Sequence, residues 1–154
     1  MGIEIERKFL VSGTAWRAAE SVHLRQGYLS HDKHRTVRVR LAADAGALTI
    51  KGVTAGATRA EFEYAIPVGD ARALLDICEG SIVEKRRHVI EFAGLSWEVD
   101  EFLGDNAGLV VAEVELESEA QSIARPHWIG EEVTHDPRYF NAALSRKPYA
   151  TWDR

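Results

Sequence analysis

Ile3-Glu4-Ile5-Glu6-Arg7-Lys8-Phe9-Leu10-Val11 brings apolar and charged side chains together with a period of two. Successive residues of a strand point to opposite faces, so Glu4, Glu6 and Lys8 share one face and Ile3, Ile5 and Phe9 the other. An ordinary half-buried strand gives water a chemically mixed polar face. This one lines up three charges, and the pattern recurs along the chain. Arg38 and Arg40 stand opposite Val37, Val39 and Leu41. Thr49 and Lys51 share a face, as do Arg59, Glu61 and Glu63. Lys85 pairs with Arg87 and Glu98 with Asp100, and Glu113 and Glu115 stand opposite Val114 and Leu116.

The period-two segments predict eight strands: Ile3–Val11, His23–Ser30, Thr36–Ala42, Ala47–Gly52, Arg59–Ile66, Ile82–Phe92, Leu95–Phe102 and Leu109–Glu117. Short connections favour antiparallel neighbours, and so a mainly β, α+β fold with a barrel or sandwich core. Helices are expected outside it. Ser12 is placed to cap Thr14–Glu20, Asp70–Cys78 follows Pro67, Glu119–Ala124 stops at Pro126, and Arg138–Ser145 is entered through Asp136-Pro137.

The 154 residues predict one domain over 1–154, at ~100–200 residues per domain. A hydrophobic share of 45% with 28% charged residues is globular composition and excludes a disordered tail protein. Nineteen Lys and Arg against 24 Asp and Glu leave a net charge of −5. That balance argues against nucleic-acid or membrane-surface partners. The single cysteine, Cys78, cannot form an internal disulfide, which suits a reducing, cytoplasmic compartment. The acidic N-terminus does not read as a signal peptide, and no apolar run nears the ~18 residues of a membrane span.

Taken one strand at a time, each charged face is a salt-bridged solvated surface worth ~0–1 kcal/mol per pair. If the sheet closes, all these faces point into one lumen lined by cations and carboxylates together. Buried like charges are costly unless they are paired or metal-bound. A ligand with many anionic oxygens, together with a divalent metal, would satisfy both sets. Arg and Lys take phosphate oxygens, and clustered carboxylates take Mg²⁺ or Mn²⁺.

Glu4-Ile5-Glu6-Arg7-Lys8 resembles the ExExK signature of the triphosphate tunnel metalloenzymes, the CYTH superfamily. Gln26-Gly27-Tyr28-Leu29, Val37-Arg38-Val39-Arg40, Leu48-Thr49-Ile50-Lys51-Gly52 and Glu61-Phe62-Glu63-Tyr64 follow in that family's order. So do Glu84-Lys85-Arg86-Arg87, Trp97-Glu98-Val99-Asp100-Glu101-Phe102 and Ala112-Glu113-Val114-Glu115-Leu116. The resemblance covers about residues 3–146 and is closest to the compact bacterial inorganic triphosphatases. It implies an eight-stranded antiparallel β-barrel tunnel with helices outside, hydrolysing a small-molecule triphosphate, as a monomer or a homodimer. Class IV adenylate cyclases and thiamine or nucleoside triphosphatases share the tunnel, and a polyphosphate-binding module without turnover is the alternative outside catalysis.

Carried over residue by residue, the resemblance gives Glu4, Glu6, Glu113 and Glu115 to Mg²⁺ or Mn²⁺. Lys8, Arg38, Arg40, Lys51, Arg59, Lys85 and Arg87 would grip phosphates. Glu61 and Glu63 would place a metal or the attacking water, and Asp100 would orient the basic groups, with Lys85 counted in the catalytic set. Relatives carry Tyr-Lys-Asn near the C-terminus; here Phe140 stands for that lysine in Tyr139-Phe140-Asn141, leaving Arg138 or Arg146 to replace it.

Other signals fail on chemistry. Lys51–Gly56 lacks the Gly-Lys-Ser/Thr ending of a phosphate loop. His31, Asp32 and His34 have no standard zinc spacing, and His135-Asp136 reads as a turn before Pro137. Cys78 reads as a packing residue, as do Trp16, Trp97, Trp128 and Trp152. Lys33-His34-Arg35 lacks the interleaved aromatics of a nucleic-acid stacking platform.

Overall fold

The computed structural model describes residues 2–153; Met1 and Arg154, the ends of the expected 1–154 span, lie outside the described residues. The strands are β1 (Ile3–Val11), β2 (Ser21–Ser30), β3 (Thr36–Ala42), β4 (Ala45–Lys51), β5 (Thr58–Ile66), β6 (Glu79–Phe92), β7 (Leu95–Phe102), β8 (Val110–Glu115) and β9 (Ile129–Glu132). The helices are α1 (Val68–Asp76) and α2 (Asn141–Arg146). Antiparallel pairing runs β5-β4-β3-β2-β6-β7-β8-β1, and a β1–β5 pairing closes the ring through Ile3–Ala60, Glu4–Arg59 and Ile5–Thr58. An eight-stranded barrel leaves an interior just wide enough for side chains or one small ligand.

The charged faces turn inward because the apolar faces are covered from outside. Phe9, Trp97, Val99, Ala112 and Val114 bury themselves under Trp16 and Trp128. On the opposite wall Val39 and Leu41 pack against Ala71 and Leu75 of α1. Gly46 permits that approach: a Cβ there would lie 2.8 Å from the Ala71 Cβ. The β6–β7 turn, Ala93-Gly94, has positive φ at both residues, 50° and 82°. Positive φ at both central positions is the primed hairpin geometry, whose twist matches that of its strands.

On part of the inner face the charges give way to Val83, Phe102, Leu109 and Val111, which pack with Leu144 of α2. The last helix therefore plugs the lumen instead of covering the wall.

All eight expected strands form, with ends shifted by up to three residues. The ninth, β9, was not expected. It pairs with the end of β1 through Phe9–Glu132 and Val11–Ile129, on the edge whose beginning is taken by β5. The Thr14–Glu20 helix shrinks to a 3₁₀ turn over Ala15–Ala18, and Ser12 does not cap it, because its N–H and hydroxyl both donate to the Trp128 carbonyl. No helix forms over Glu119–Ala124. The Glu119 carboxylate instead accepts from the Ala57 N–H at 3.1 Å and the Thr58 hydroxyl at 2.7 Å. The expected 138–145 helix breaks at Phe140, whose extended backbone separates a 3₁₀ turn over Pro137–Tyr139 from α2.

Candidate active site

The lumen holds a cavity of about 460 Å³ lined from β1–β6, β8 and the α2 segment. Its two walls carry opposite excesses of charge.

β1 and β8 make the acidic wall. Lys8 and Glu113 are register partners. The Lys8 Nζ lies 2.8 Å from Glu113 and 3.0 Å from Glu6, so one ammonium serves two carboxylates. Burial, then Glu113, pushes the Glu6 carboxyl up to about 7. Burial alone would lower Lys8, but Glu113 and Glu6 outweigh it and hold its proton more tightly than usual. Glu4 is buried 3.2 Å from Lys51 and 4.0 Å from Arg59, and burial raises its pKa.

β3 and β6, with β7 behind, make the basic wall. Lys85 is 1% exposed and its Nζ lies 2.8 Å from Asp100, which is wholly enclosed. Asp100 also receives Arg87 through two hydrogen bonds of 2.8 and 2.9 Å. Burial would raise Asp100, yet Lys85 and Arg87 outweigh it and keep the carboxylate ionised. Lys85 is lowered to about 7: burial drives the shift, Asp100 opposes it, and Arg87 and Arg40 add to it. The Arg40 Nε donates to Gln26 Oε1 at 3.1 Å, and this guanidinium pairs with no carboxylate among the described residues. Burial, then Arg38 and Arg87, lowers it to about 10. Arg38 reaches Thr49 at 3.1 Å and Glu63 at 3.5 Å, and the Nε atoms of Arg38 and Arg59 are buried without a hydrogen-bond partner among the described residues.

Of the residues singled out by strand parity, Glu4, Glu6, Lys8, Arg38, Arg40, Lys51, Arg59, Lys85, Arg87 and Glu113 line this one cavity. Asp100 stands behind Lys85 and Arg87 and meets the lumen only through them. Glu61 bonds Lys51 at 3.1 Å, while Glu63 is exposed and accepts from Thr49 at 3.0 Å; neither lines the cavity. Glu115 faces Glu6 in register but is exposed and away from the lining. Of the two arginines near the missing lysine, Arg146 lines the cavity, whereas Arg138 lies outside, held by Asp136 at 2.6 Å and over the Tyr139 and Trp152 rings.

Strand parity gave no role to Gln26, Tyr28 or Asn141. Gln26 and Tyr28 share the inner face of β2, so period two could have found them; nothing in the sequence directs Asn141 to Lys85, yet its Oδ1 accepts from Lys85 Nζ at 2.9 Å.

Mg²⁺ and Mn²⁺ prefer hard oxygen ligands, which Glu4, Glu6 and Glu113 supply. The raised pKa of Glu6 marks the place where buried negative charge exceeds its local compensation. A divalent cation suits that excess. Among the described residues no three carboxylate, imidazole or thiol groups already stand at ligating spacing, and Lys8 stands between Glu6 and Glu113.

The CYTH domain model matches residues 2–149. An inorganic triphosphatase of Acetivibrio thermocellus is 52% identical over 151 residues, 97% of each chain. One from Nitrosomonas europaea is 40% identical over 146 residues, 92% of this chain and 96% of the other. A crystal structure described as an inorganic triphosphatase superposes with a TM-score of 0.68 at 38% identity, covering 92% of this chain and 96% of that one.

Proposed function

The chain belongs to the CYTH domain family, and on that premise we propose that it is a divalent-metal-dependent hydrolase of inorganic tripolyphosphate, yielding pyrophosphate and phosphate. The observation that carries the reading is Arg40, a cation facing the cavity whose only hydrogen-bond partner among the described residues is an amide, in a lumen where the Arg38 and Arg59 Nε atoms also lack hydrogen bonds. A guanidinium that no carboxylate takes, as at Arg40, is a waiting site for anionic oxygens.

In this reading Arg38, Arg40, Arg59, Lys51, Lys85 and Arg87 take the phosphate oxygens and fix the chain of phosphates. Asp100 acts one step behind, aiming Lys85 and Arg87. Glu4, Glu6 and Glu113, with Glu115 at their edge, would hold Mg²⁺ or Mn²⁺, which supplies charge neutralisation at the cleaved phosphoanhydride and activates water. Glu61, which shares Lys51 with Glu4, and Glu63, farther along β5 beside Thr49 and Arg38, would help orient the attacking water. The protein's part is positioning and electrostatic stabilisation, with no covalent intermediate. The acting unit in this proposal is the whole 1–154 chain as one domain, in the cytoplasm.

The test is phosphate release from tripolyphosphate with and without Mg²⁺ or Mn²⁺, beside ATP and thiamine triphosphate. Metal-dependent release favouring tripolyphosphate is expected. A cyclic product with pyrophosphate from ATP, or binding of all three without turnover, would overturn the hydrolase reading.

A further inference from the structure

We infer that Asn141, on the helix that plugs the lumen, is a substrate-binding residue whose side-chain amide donates to a phosphate oxygen of the bound anion. The inference rests on the triphosphate reading and adds to it a neutral contact that comes from the plug and not from a strand.

The argument is one of forced hydrogen-bond direction. The Arg40 Nε can only donate, so the Gln26 atom 3.1 Å from it must be the oxygen, Oε1. The Gln26 nitrogen therefore faces the other way, where it donates to Tyr28 Oη at 3.3 Å and to Asn141 Oδ1 at 3.1 Å. The Asn141 orientation is fixed a second time by Lys85, whose ammonium is also donor-only and reaches the same Oδ1 at 2.9 Å. Two independent donors thus claim the Asn141 oxygen, and a flip of the amide would set N–H against N–H twice.

The Asn141 Nδ2 is left with two hydrogens and no protein partner among the described residues, on a side chain that lines the cavity. Around it the lumen offers donors: Lys85, Arg40 and Arg87 line the same space. The donor is open to the cavity, and a phosphate oxygen held by those cations would replace solvent as its acceptor. A hydrogen bond to a charged acceptor is among the stronger kinds. The same amide ties plug to wall, since Asn141 Oδ1 joins Lys85 and, through Gln26, Arg40.

The test compares Asn141→Asp and Asn141→Ala by calorimetric titration of tripolyphosphate without metal, alongside apo thermal midpoints. Asp keeps the oxygen that Lys85 and Gln26 need and removes the donor; Ala removes both. With the donor at work, Ala weakens binding about tenfold to a hundredfold, the range for a hydrogen bond to a charged group. Asp weakens it more, although its apo midpoint stays at or above that of wild type. If Asn141 only braces Lys85 and Gln26, the order of the Ala effects reverses: Ala loses thermal stability while keeping its affinity within twofold, and only Asp, whose charge repels the anion in either case, binds more weakly. That order overturns the inference alone. A wild-type chain that takes up no tripolyphosphate overturns the functional reading, and the inference with it.

Discussion

Lys8 and Lys85 are both buried lysines on the inner face of one barrel, and their surroundings drive them in opposite directions. Lys8 stands between two carboxylates, Glu6 and Glu113, and its proton is held more tightly than in water. Lys85 shares the single carboxylate of Asp100 with Arg87, has Arg40 nearby, and falls to about 7. Burial penalises a charge on either wall, so the sign of the shift is set by how many opposite charges each lysine must share. The acidic wall has one carboxylate too many and the basic wall several cations too many. Direct contact between the two excesses is slight: Arg87 lies 3.9 Å from Glu113. A polyanion carrying a divalent cation is what both walls lack.

The sharpest way to break this comparison is to neutralise one acid on each wall. Asp100→Asn leaves buried Lys85 beside Arg87 without its carboxylate, and Arg87 with only Glu98 at 3.2 Å and Glu113 at 3.9 Å among the described residues. Removing one partner of a buried pair costs about 3–5 kcal/mol. For a chain of this size that is a fall of roughly 6–20 °C in thermal midpoint. Added tripolyphosphate should recover part of it by supplying the missing negative charge. Glu6→Gln takes away a carboxylate that is already in excess while Lys8 keeps Glu113 at 2.8 Å, and should move the apo midpoint by only about 2–4 °C or less, the equivalent of ~1 kcal/mol. Equal losses in calorimetry would mean that the walls do not differ as described.

A smaller effect sharpens it through pH. Folded Lys85 titrates near 7, while a solvated lysine titrates near ~10.4. Between those values the unfolded chain carries a proton that the folded chain has released. The apo protein should therefore gain stability as pH rises from 7 toward 10. Binding an anion beside Lys85 restores its proton, so tripolyphosphate affinity should fall as pH rises above 7, by at most about tenfold per unit for one proton. Titrations in two buffers of different ionisation enthalpy measure this uptake, and Lys85→Met should remove it. Uptake that survives in Lys85→Met would assign the proton elsewhere.

What was legible in the sequence followed from the backbone's period of two. Lys8, Arg38, Arg40, Lys85 and Glu113 reach the lumen because each sits on the charged side of an alternating strand, and alternation is visible without a partner. Depth was not visible. Glu98 and Asp100 share a face, yet Glu98 is half-buried against Arg87 at 3.2 Å while Asp100 is sealed behind two cations. Depth depends on shear and on what packs behind the wall, and single strands do not encode it. Long-range polar partners were equally hidden. Gln26 reaches Asn141 across 115 residues, and α2 begins only after Phe140 turns the chain. β9 has no alternation to reveal it in Ile129-Gly130-Glu131-Glu132, and its docking depends on a pair 125 positions apart.

That pair gives the smallest effect and a control for the lumen. Arg7 lies on the outer face of β1, between the lumenal Glu6 and Lys8, and holds Glu132 of β9 through bonds of 2.9 and 2.7 Å. The Arg7 hydrogen bonds draw the Glu132 carboxyl down to about 2. A depressed carboxyl stabilises the fold above its unfolded pKa near ~4.3 and loses that contribution as pH falls toward 2. Water reaches this pair, so its worth is about 0–1 kcal/mol. Glu132→Gln should flatten the acid limb of the stability curve between about pH 4 and 2 and lower the curve above pH 4 by a constant ~0–1 kcal/mol, with its slope above pH 7 unchanged. Polyphosphate affinity should not change, since Glu132 faces away from the anion. A loss of affinity in Glu132→Gln, measured by the same titration, would mean that the strap on β1 sets the lumenal register of Glu6 and Lys8. The two faces of that strand would then be one device, and the contrast between walls would begin at its outer edge.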